Sequence, residues 1–496
     1  MAAGGCAFDW NAVTPLIEDV AQAERITIFA GAGVSFESGM DDWPALVRRL
    51  LRRLGRSRGL SEAEADTFAD WTVQRDGVTG AAAIVKLELG GAFRTELRTA
   101  LYGDPPTRGL VPGETARAIA EIMLSGAEGE VATTNYDRLV EDSLAATISA
   151  RRIKGKRAET VATARVVNAD RIAVRHLHGF LTPSRNLGTI VLSEADYHRM
   201  QDDRVWQQQY FAEALADSKC VFLGTSLTDT NLLRYLYREP TDVESVVVFV
   251  RQSDATRYSD SSSKVQALRE VSSRRRWTGL GLRPVLVDNY AESAQVAWEI
   301  AARRTQGPSY VDYPTRLAEW SRAMRGVLTI GKEFPARQSE MQSALLTVID
   351  VVRDGLASAG VSIASGERLG CSLWVYRPQR DELINWASSD RLWTDPRTLE
   401  PVPVRWDSHF VSVQAFCSGS YVSESTVGHI GSRWSHVYGV PLYAYEEAGR
   451  LPVGVLTLAS TVPAPRSALA QGEATLRQTI LPDVRASIVT NLLAPG

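Results

Sequence analysis

Short apolar runs alternate with helical stretches over residues 1–290 of this chain. The runs are rich in Val, Ile and Leu, and they lie at 26–30, 130–137, 171–179, 219–226, 245–250 and 283–288. Strands buried on both faces read as continuous apolar runs, and intervening helices allow consecutive strands to lie parallel. The pattern therefore predicts an α/β fold with a doubly wound, Rossmann-like parallel sheet. A helical pattern at about 44–125 predicts a helical insertion in this domain.

The chain changes character after the string TQGPSYVDYP at 305–314, where one glycine and two prolines interrupt the alternation. Two strand–turn–strand patterns follow, flanked by amphipathic helical stretches, and they predict a separate α+β domain. A chain of 496 residues is also too long for one hydrophobic core, since domains typically hold ~100–200 residues. We expect a first domain at 1–304, a linker at 305–336 and a second domain at 337–496.

Composition excludes several classes of protein. The chain has 55 Lys and Arg against 58 Asp and Glu, so it carries no overall basic charge that would favour nucleic acid. Its four cysteines are far apart and form no C-x-x-C pair, which argues against a zinc module or a disulfide framework. The first residues lack the pattern of a secretory signal, and no apolar run approaches the ~20 residues of a membrane span. We expect a cytoplasmic protein without a metal or a membrane partner.

A glycine turn, GAGVS at 31–35, follows the first predicted strand. Glycines permit positive φ angles and let backbone N–H groups approach a pyrophosphate closely. Taken alone, the turn also fits an ordinary strand–helix connection, because a complete G-x-G-x-x-G is absent. Its interpretation depends on the other strand ends.

Polar side chains follow three further strands, in TTNYD (133–137), LHG (177–179) and GTSLTD (224–229). Ligands of open α/β sheets bind outside the carboxyl ends of the strands, so these side chains are expected to meet in one crevice. They supply an imidazole from His178, a carboxamide from Asn135, a carboxylate from Asp137 and hydroxyls from Ser35, Thr225 and Ser226. Such groups can hold ribose hydroxyls and act as a general base on one of them.

In this order, the four segments resemble the motifs of the sirtuin-like (SIR2) family. The family pattern GAG-[IV]-S-x-x-x-G-I-P-D-F-R is matched by GAGVSFESGMDDWP, and T-Q-N-[ID]-D is matched by TTNYD. The family's L-H-G and G-[TS]-S-L are matched by residues 177–179 and 224–227. The opening-motif positions in register are Gly31, Ala32, Gly33, Ser35, Gly39 and Asp42. The resemblance covers residues 1–290 and implies NAD as the ligand.

The departures from the family pattern are informative. The four-cysteine zinc module of deacylating sirtuins is missing, Pro44 replaces an arginine, and Thr134 replaces a glutamine. In these respects the chain looks like a divergent bacterial branch, whose SIR2 domains cleave NAD to nicotinamide and ADP-ribose. In anti-phage defence, such domains are joined to a sensing domain and deplete cellular NAD. The resemblance thus implies an NAD hydrolase that requires no metal.

The same resemblance implies roles for individual residues. Asn135 would hold the nicotinamide ribose and a water, Asp137 would orient the site, and His178 would accept a proton. The implied NAD-binding residues are Gly31, Ala32, Gly33, Ser35, Asp42, Thr134, Gly224, Thr225 and Ser226. His176 lies outside the L-H-G match and is expected to be a packing or surface residue.

In the second domain, YGVPLYA followed by LPVGVLTLAS resembles the central strands of GAF domains. The resemblance implies a regulatory module that responds to a small molecule or a phage-derived signal, or a module that only assembles a homo-oligomer. Two other functions stay open for the first domain. One is a sirtuin-like ADP-ribosyl transferase or deacylase, and the other is a non-catalytic sensor of NAD or ADP-ribose.

Overall fold

A computed structural model describes residues 10–493 apart from several short gaps. The gaps are 104–109, 127, 169, 201–204, 228, 239–244, 251–262, 288–289, 328–332, 406–407, 427–432, 445–449 and 465. Cys6 therefore lies outside the described residues. The chain divides into two compact units, Met1–Val287 and Asp288–Gly496.

The first unit is built on a seven-stranded sheet in the order β3-β4-β2-β1-β7-β8-β9. All pairs of neighbouring strands in it are parallel. Its strands, with the short hairpin β5–β6, are β1 Arg25–Ala30, β2 Glu128–Thr133, β3 Arg157–Val161, β4 Arg171–His176, β5 Phe180–Leu181, β6 Asn186–Leu187, β7 Lys219–Leu223, β8 Ser245–Val250 and β9 Leu282–Val287. The chain winds outward from β1 through β2, then returns to β7 on the other side of β1. This reversal confirms the predicted doubly wound sheet.

Helices connect these strands, and four of them form the predicted insertion between β1 and β2. The helices are α1 Trp10–Gln22, α2 Ala32–Phe36, α3 Trp43–Ser57, α4 Glu62–Leu89, α5 Phe93–Tyr102, α6 Glu114–Leu124, α7 Leu139–Ala150, α8 Glu194–Arg199, α9 Trp206–Asp217, α10 Thr230–Arg238 and α11 Ser263–Thr278. Leu46, Leu50 and Leu54 recur along one face of α3 and are buried, as their spacing predicts. Within α4, Gly77 adopts a φ of 69° and breaks the helix into two segments.

The second unit contains a six-stranded antiparallel sheet in the order β12-β11-β10-β15-β14-β13. Its strands are β10 Leu369–Arg377, β11 Glu382–Ser388, β12 Pro401–Pro403, β13 Val422–Ser425, β14 His436–Ala444 and β15 Leu451–Ser460. Its helices are α12 Tyr290–Gln306, α13 Tyr313–Val327, α14 Phe334–Ser358, α15 Val411–Ser418, α16 Ala468–Gln471, α17 Glu473–Thr475 and α18 Leu481–Leu492. The sheet buries alternate apolar residues, such as Leu373 and Val375 of β10. The predicted α+β architecture is confirmed.

The division between the units differs from the boundary predicted at 304/305. Helix α12 lies in the second unit, where a Cβ at Gly419 would stand 3.4 Å from Ala291. The segment predicted as a linker also contains α13. Pro314 is compatible with this helix because it lies in the first turn, where backbone N–H groups form no hydrogen bond within the helix. Buried Glu299 of α12 pairs with Arg316 of α13, which holds the two helices together.

No helix in the described stretches of the chain combines the length and the apolar character that a bilayer crossing requires.

Candidate functional site

The turn after β1 packs directly against the turn after β7, at the point where the winding of the sheet reverses. The N–H groups of Gly31 and Gly33 donate to the carbonyl oxygens of Leu223 and Gly224, at 2.9 and 2.7 Å. A Cβ at Gly31 would lie 2.6 Å from the Gly224 oxygen, so glycine is required there for steric reasons. These two N–H groups, which we expected to face a pyrophosphate, instead bind the neighbouring turn.

Asn135, which follows β2, is held against the β1 turn by its side chain. Its Nδ2 donates to the Gly31 oxygen at 2.9 Å and to Ser35 Oγ at 2.7 Å. Ser35 Oγ in turn donates to Asp137 Oδ2 at 2.6 Å. Both amide hydrogens of Asn135 are therefore used, and no residue in the described part of the chain donates to its Oδ1. The carboxamide can offer a ligand only a hydrogen-bond acceptor.

Asp137 is a buried anchor for this arrangement. Its Oδ1 accepts the N–H of Leu139 at 3.0 Å, at the start of α7, while its Oδ2 accepts the hydroxyl of Ser35. Burial raises the pKa of Asp137 above its ordinary value, and these two hydrogen bonds oppose that effect. The carboxylate is buried, and each of its oxygens accepts a hydrogen bond from within the protein.

The backbone of Asn135 is also fixed on both sides. Its N–H donates to Thr133 Oγ1 at 3.0 Å, and its carbonyl oxygen lies 2.8 Å from Nδ1 of His176. The other ring nitrogen of His176, Nε2, lies 2.9 Å from Glu141 Oε1. His176 is buried, as expected of a packing residue, but both of its nitrogens have polar partners. Thr134, between the two anchored residues, donates its N–H to the Ala30 oxygen at 3.4 Å.

His178 lies just beyond the end of β4 and is buried. Its Nε2 stands 3.3 Å from Asp229 Oδ2, and the hydroxyl of Tyr197 donates to the same oxygen at 3.0 Å. The rings of His178 and Tyr197 meet edge to face at 5.6 Å. Burial lowers the pKa of His178, although Asp229 opposes that shift, so the ring is neutral near pH 7.

The helical insertion holds Tyr197 in place. Lys86 of α4 forms an ion pair with Asp196 at 2.5 Å, and Asp196 Oδ2 accepts the hydroxyl of Ser193 at 2.6 Å. The ring of Trp43, at the start of α3, packs against the ring of Tyr197 with their centroids 5.8 Å apart. Residues from the insertion thus hold both the start of α8 and the tyrosine that faces His178.

Two of the remaining predicted ligands, Asp42 and Thr225, have local structural roles. Asp42 Oδ1 accepts the N–H of Ala45 at 2.8 Å and caps α3. Thr225 Oγ1 accepts the N–H of Leu227 at 3.2 Å, and Ser226 is exposed on the same turn. Across the described ranges, no three His, Cys, Asp or Glu side chains are grouped as metal ligands.

The structure thus brings five of the predicted residues into two groups of contacts. The first joins Gly31, Ser35, Asn135 and Asp137, and the second joins His178 to two residues that the motifs did not single out. One of those, Asp229, closes the GTSLTD segment, so its position at a strand end was a usable signal. Tyr197 carried no comparable signal, because an aromatic residue on a short helix is typical of ordinary packing.

The chain is similar to several known proteins. Residues 129–264 match the model of the SIR2-like domain family, a range that includes Asn135 and His178 but not the β1 turn. The NAD(+) hydrolase ThsA of Enterococcus faecium is 28% identical over 213 residues, which are 42% of this chain and 38% of that protein. The chain therefore matches well under half of this relative's length.

Two solved structures were also found similar, a Sir2 enzyme and a complex of a Sir2 homologue with NAD. Each is 13% identical to this chain, covers 60% of it, and superimposes with a TM-score of 0.31. The matches span 98% and 96% of those two chains. A TM-score of this size does not by itself establish a shared fold.

Proposed function

We propose that the first unit hydrolyses NAD to nicotinamide and ADP-ribose. The observation that carries the proposal is the state of Asn135, whose two amide hydrogens are bound by the protein while Oδ1 is left to accept from a ligand. A neutral, buried histidine on a nearby strand end supplies a candidate base. The similarity to ThsA, which is named as an NAD(+) hydrolase, favours NAD over other dinucleotides.

In this proposal NAD lies in the crevice at the carboxyl ends of β1 and β7, where ligands of doubly wound sheets bind. Ala32 and the glycines of the two turns would form its floor, because the absence of bulky side chains allows close approach. Ser35, Asp42, Thr134, Thr225 and Ser226 remain proposed contacts around that floor. Since the N–H groups of Gly31 and Gly33 are occupied, the turn would contribute shape more than hydrogen bonds.

Asn135 would act on the nicotinamide ribose. A ribose hydroxyl or a water molecule is a hydrogen-bond donor, and the free Oδ1 is the matching acceptor. The two bonds from Nδ2 prevent the carboxamide from rotating, so this acceptor is held in place before NAD arrives. Preorganisation of this kind lowers the cost of reaching the reactive geometry.

His178 would take the proton. Asp229 accepts hydrogen bonds, so the tautomer with hydrogen on Nε2 is favoured and the lone pair lies on Nδ1. As the glycosidic bond breaks, its electron pair leaves with neutral nicotinamide and positive charge develops on the ribose. Water adds to the anomeric carbon, and its proton passes to Nδ1, directly or through a ribose hydroxyl. The product is ADP-ribose.

The test is incubation of the purified full-length chain with NAD, followed by chromatography of the products. Replacing the general base, as in His178→Ala, should lower kcat by ~10²–10⁴-fold without lowering the melting temperature by more than a few degrees. His198→Ala is the matched control, because His198 is exposed on α8. Wild-type turnover by His178→Ala would contradict the assignment.

The other functions predict different products. A transferase or deacylase would consume NAD only when an acceptor or an acyl-lysine substrate is added. A sensor would bind NAD or ADP-ribose, as calorimetry would show, without consuming either. Release of nicotinamide and ADP-ribose in buffer alone would exclude both.

We further propose that the second unit controls this activity, as a GAF-like module of a cytoplasmic anti-phage effector that assembles into a homo-oligomer. The support is the pattern of β14 and β15 and the similarity of the chain to ThsA. Extracts of infected and uninfected cells, added to the full-length chain, would test the trigger. Light scattering with and without extract would show whether assembly accompanies activation. Equal turnover with both extracts would leave assembly as the only role of the second unit.

A further inference from the structure

His176 lies between a backbone carbonyl oxygen and a carboxyl oxygen. Its Nδ1 is 2.8 Å from the carbonyl oxygen of Asn135, and its Nε2 is 2.9 Å from Oε1 of Glu141. A neutral imidazole carries hydrogen on one nitrogen only, whereas an imidazolium carries hydrogen on both. Two good contacts to two acceptors therefore require either a charged ring or a proton on Glu141.

The surroundings of Glu141 favour the charged ring. The hydroxyl of Thr160 donates to Oε1 at 2.8 Å, so the oxygen nearest His176 already accepts a second hydrogen bond. A proton on that same oxygen would compete with Thr160 for its lone pairs. A carboxylate whose Oε1 accepts from both Thr160 and an imidazolium satisfies the hydroxyl and both ring nitrogens, while Oε2 of Glu141 is buried without a hydrogen-bond partner among the described residues.

The charged groups around the ring act in the same direction. Burial by itself lowers the pKa of His176, but Glu141 of α7, the Asn135 carbonyl and Asp137 together raise it above the ordinary value. On the remaining side, the ring of Phe180 meets the imidazole edge to face at 4.8 Å and brings no charge.

We propose that His176 is a positioning residue for the NAD hydrolysis proposed above. Its ring is an imidazolium paired with Glu141, and it fixes the backbone of Asn135 at the carbonyl. The Nδ1 hydrogen holds the Asn135 carbonyl, while Thr133 holds the Asn135 N–H from the other side. Rotation of either peptide group that flanks the Cα of Asn135 therefore breaks a hydrogen bond, and the backbone conformation held in this way directs the Asn135 side chain. The proposal rests on that function but is tested separately from it.

Nuclear magnetic resonance of the full-length chain, labelled with ¹⁵N-histidine, reads the charge directly. The chain has six histidines, and the signal lost in His176→Gln identifies this ring. We expect two protonated ring nitrogens at pH 7.5. A single protonated nitrogen would overturn the proposal. This measurement needs no turnover and no variant that must remain active.

Turnover tests the positioning role. His176→Leu removes both donors and should lower kcat by roughly 10–100-fold with KM changed by less than about threefold, since the reacting groups are displaced while the binding surface remains. His176→Gln retains one donor for the Asn135 carbonyl and should recover part of kcat. His198→Gln, on the exposed face of α8, is the control. Equal kcat for the wild type, His176→Leu and His176→Gln would overturn the proposal.

The pH profile separates positioning from a general loss of packing. Glu141→Gln keeps the shape of the side chain and removes its charge, so the pKa of His176 should fall and the alkaline loss of kcat should begin at lower pH. An unmoved profile would count against the proposal. If the wild-type chain releases no nicotinamide under any condition, the proposed function fails, and the nitrogen signals still decide whether His176 is charged.

Discussion

The hydroxyl of Ser35 connects the two residues on which the proposed chemistry depends. It donates to Asp137 at 2.6 Å and accepts from Asn135 at 2.7 Å. Ser35→Ala leaves one oxygen of a buried carboxylate without its donor, and hydrogen bonds to charged groups contribute about 1.5–3 kcal/mol. We therefore expect the free energy of unfolding of the first unit to fall by about 2 kcal/mol. Because Asn135 also loses one of its two anchors, kcat should fall by roughly 10–100-fold.

The assay is a double-mutant cycle of Ser35→Ala and Asp137→Asn, measured by urea unfolding and by NAD turnover. If Ser35 acts through Asp137, the two effects are not additive, and the coupling should be about 1–3 kcal/mol. Ser57→Ala serves as the control. It also removes a serine hydroxyl, but that hydroxyl donates to the Leu54 carbonyl at the exposed end of α3. Additive effects in the cycle would refute the reasoning.

Three further predictions follow from buried groups around the site. Burial raises the pKa of Glu37 from its ordinary value of 4.5 to about 8, so between these pH values the native state holds a proton that the unfolded chain has lost. The free energy of unfolding should therefore fall as the pH rises between these values, by at most about 1.4 kcal/mol per pH unit. Glu37→Gln should flatten this dependence, as measured by urea unfolding at pH 5 and pH 8. An equal pH dependence in the wild type and the variant would contradict this prediction. Gly224 has a φ of 64°, and a Cβ added there would lie 2.5 Å from the nitrogen of Val34. Gly224→Ala should therefore lower the free energy of unfolding by more than about 2 kcal/mol. An unchanged melting curve would disprove this steric argument. Burial lowers the pKa of His178, and Asp229 opposes that shift. In Asp229→Asn the pKa of His178 should fall further, so the acid limb of the kcat profile should move to lower pH while kcat itself falls. An acid limb that stays in place would exclude coupling between the two residues.

Much of the fold was predictable because the buried strands carry a strong local pattern. Central strands such as β1 and β7 are apolar on both faces, and their runs mark them clearly. Strand β3, by contrast, reads RAETV, and its place at the sheet edge is determined by pairing with β4 rather than by its own apolar content. Helix α13 falls within the predicted linker because Gly307, Pro308 and Pro314 are typical turn residues, whereas the pairing of Arg316 with buried Glu299 is a contact that no local pattern encodes.

The candidate site divides in the same way. Asn135 and His178 were identified because each stands in a motif at the end of a recognisable strand. The residues that contact them were not identified in this way. His176 on β4 contacts the backbone of Asn135, which follows the neighbouring strand β2, and Asp229 approaches His178 only when β7 packs beside β1. Such contacts depend on the order of the strands in the sheet, which cannot be predicted from the local sequence pattern of any one strand.

The contacts of Trp43 with Tyr197 and of Lys86 with Asp196 have a consequence for the evolution of this chain. Helices α3 and α4 are not a removable module, because trimming them would take Lys86 from Asp196, leave Arg199 as its cation, and remove the packing of Trp43 from the ring of Tyr197 beside His178. Shorter homologues that keep a working His178 must therefore supply a different brace at that position. Protein engineers who wish to shorten this chain should begin elsewhere.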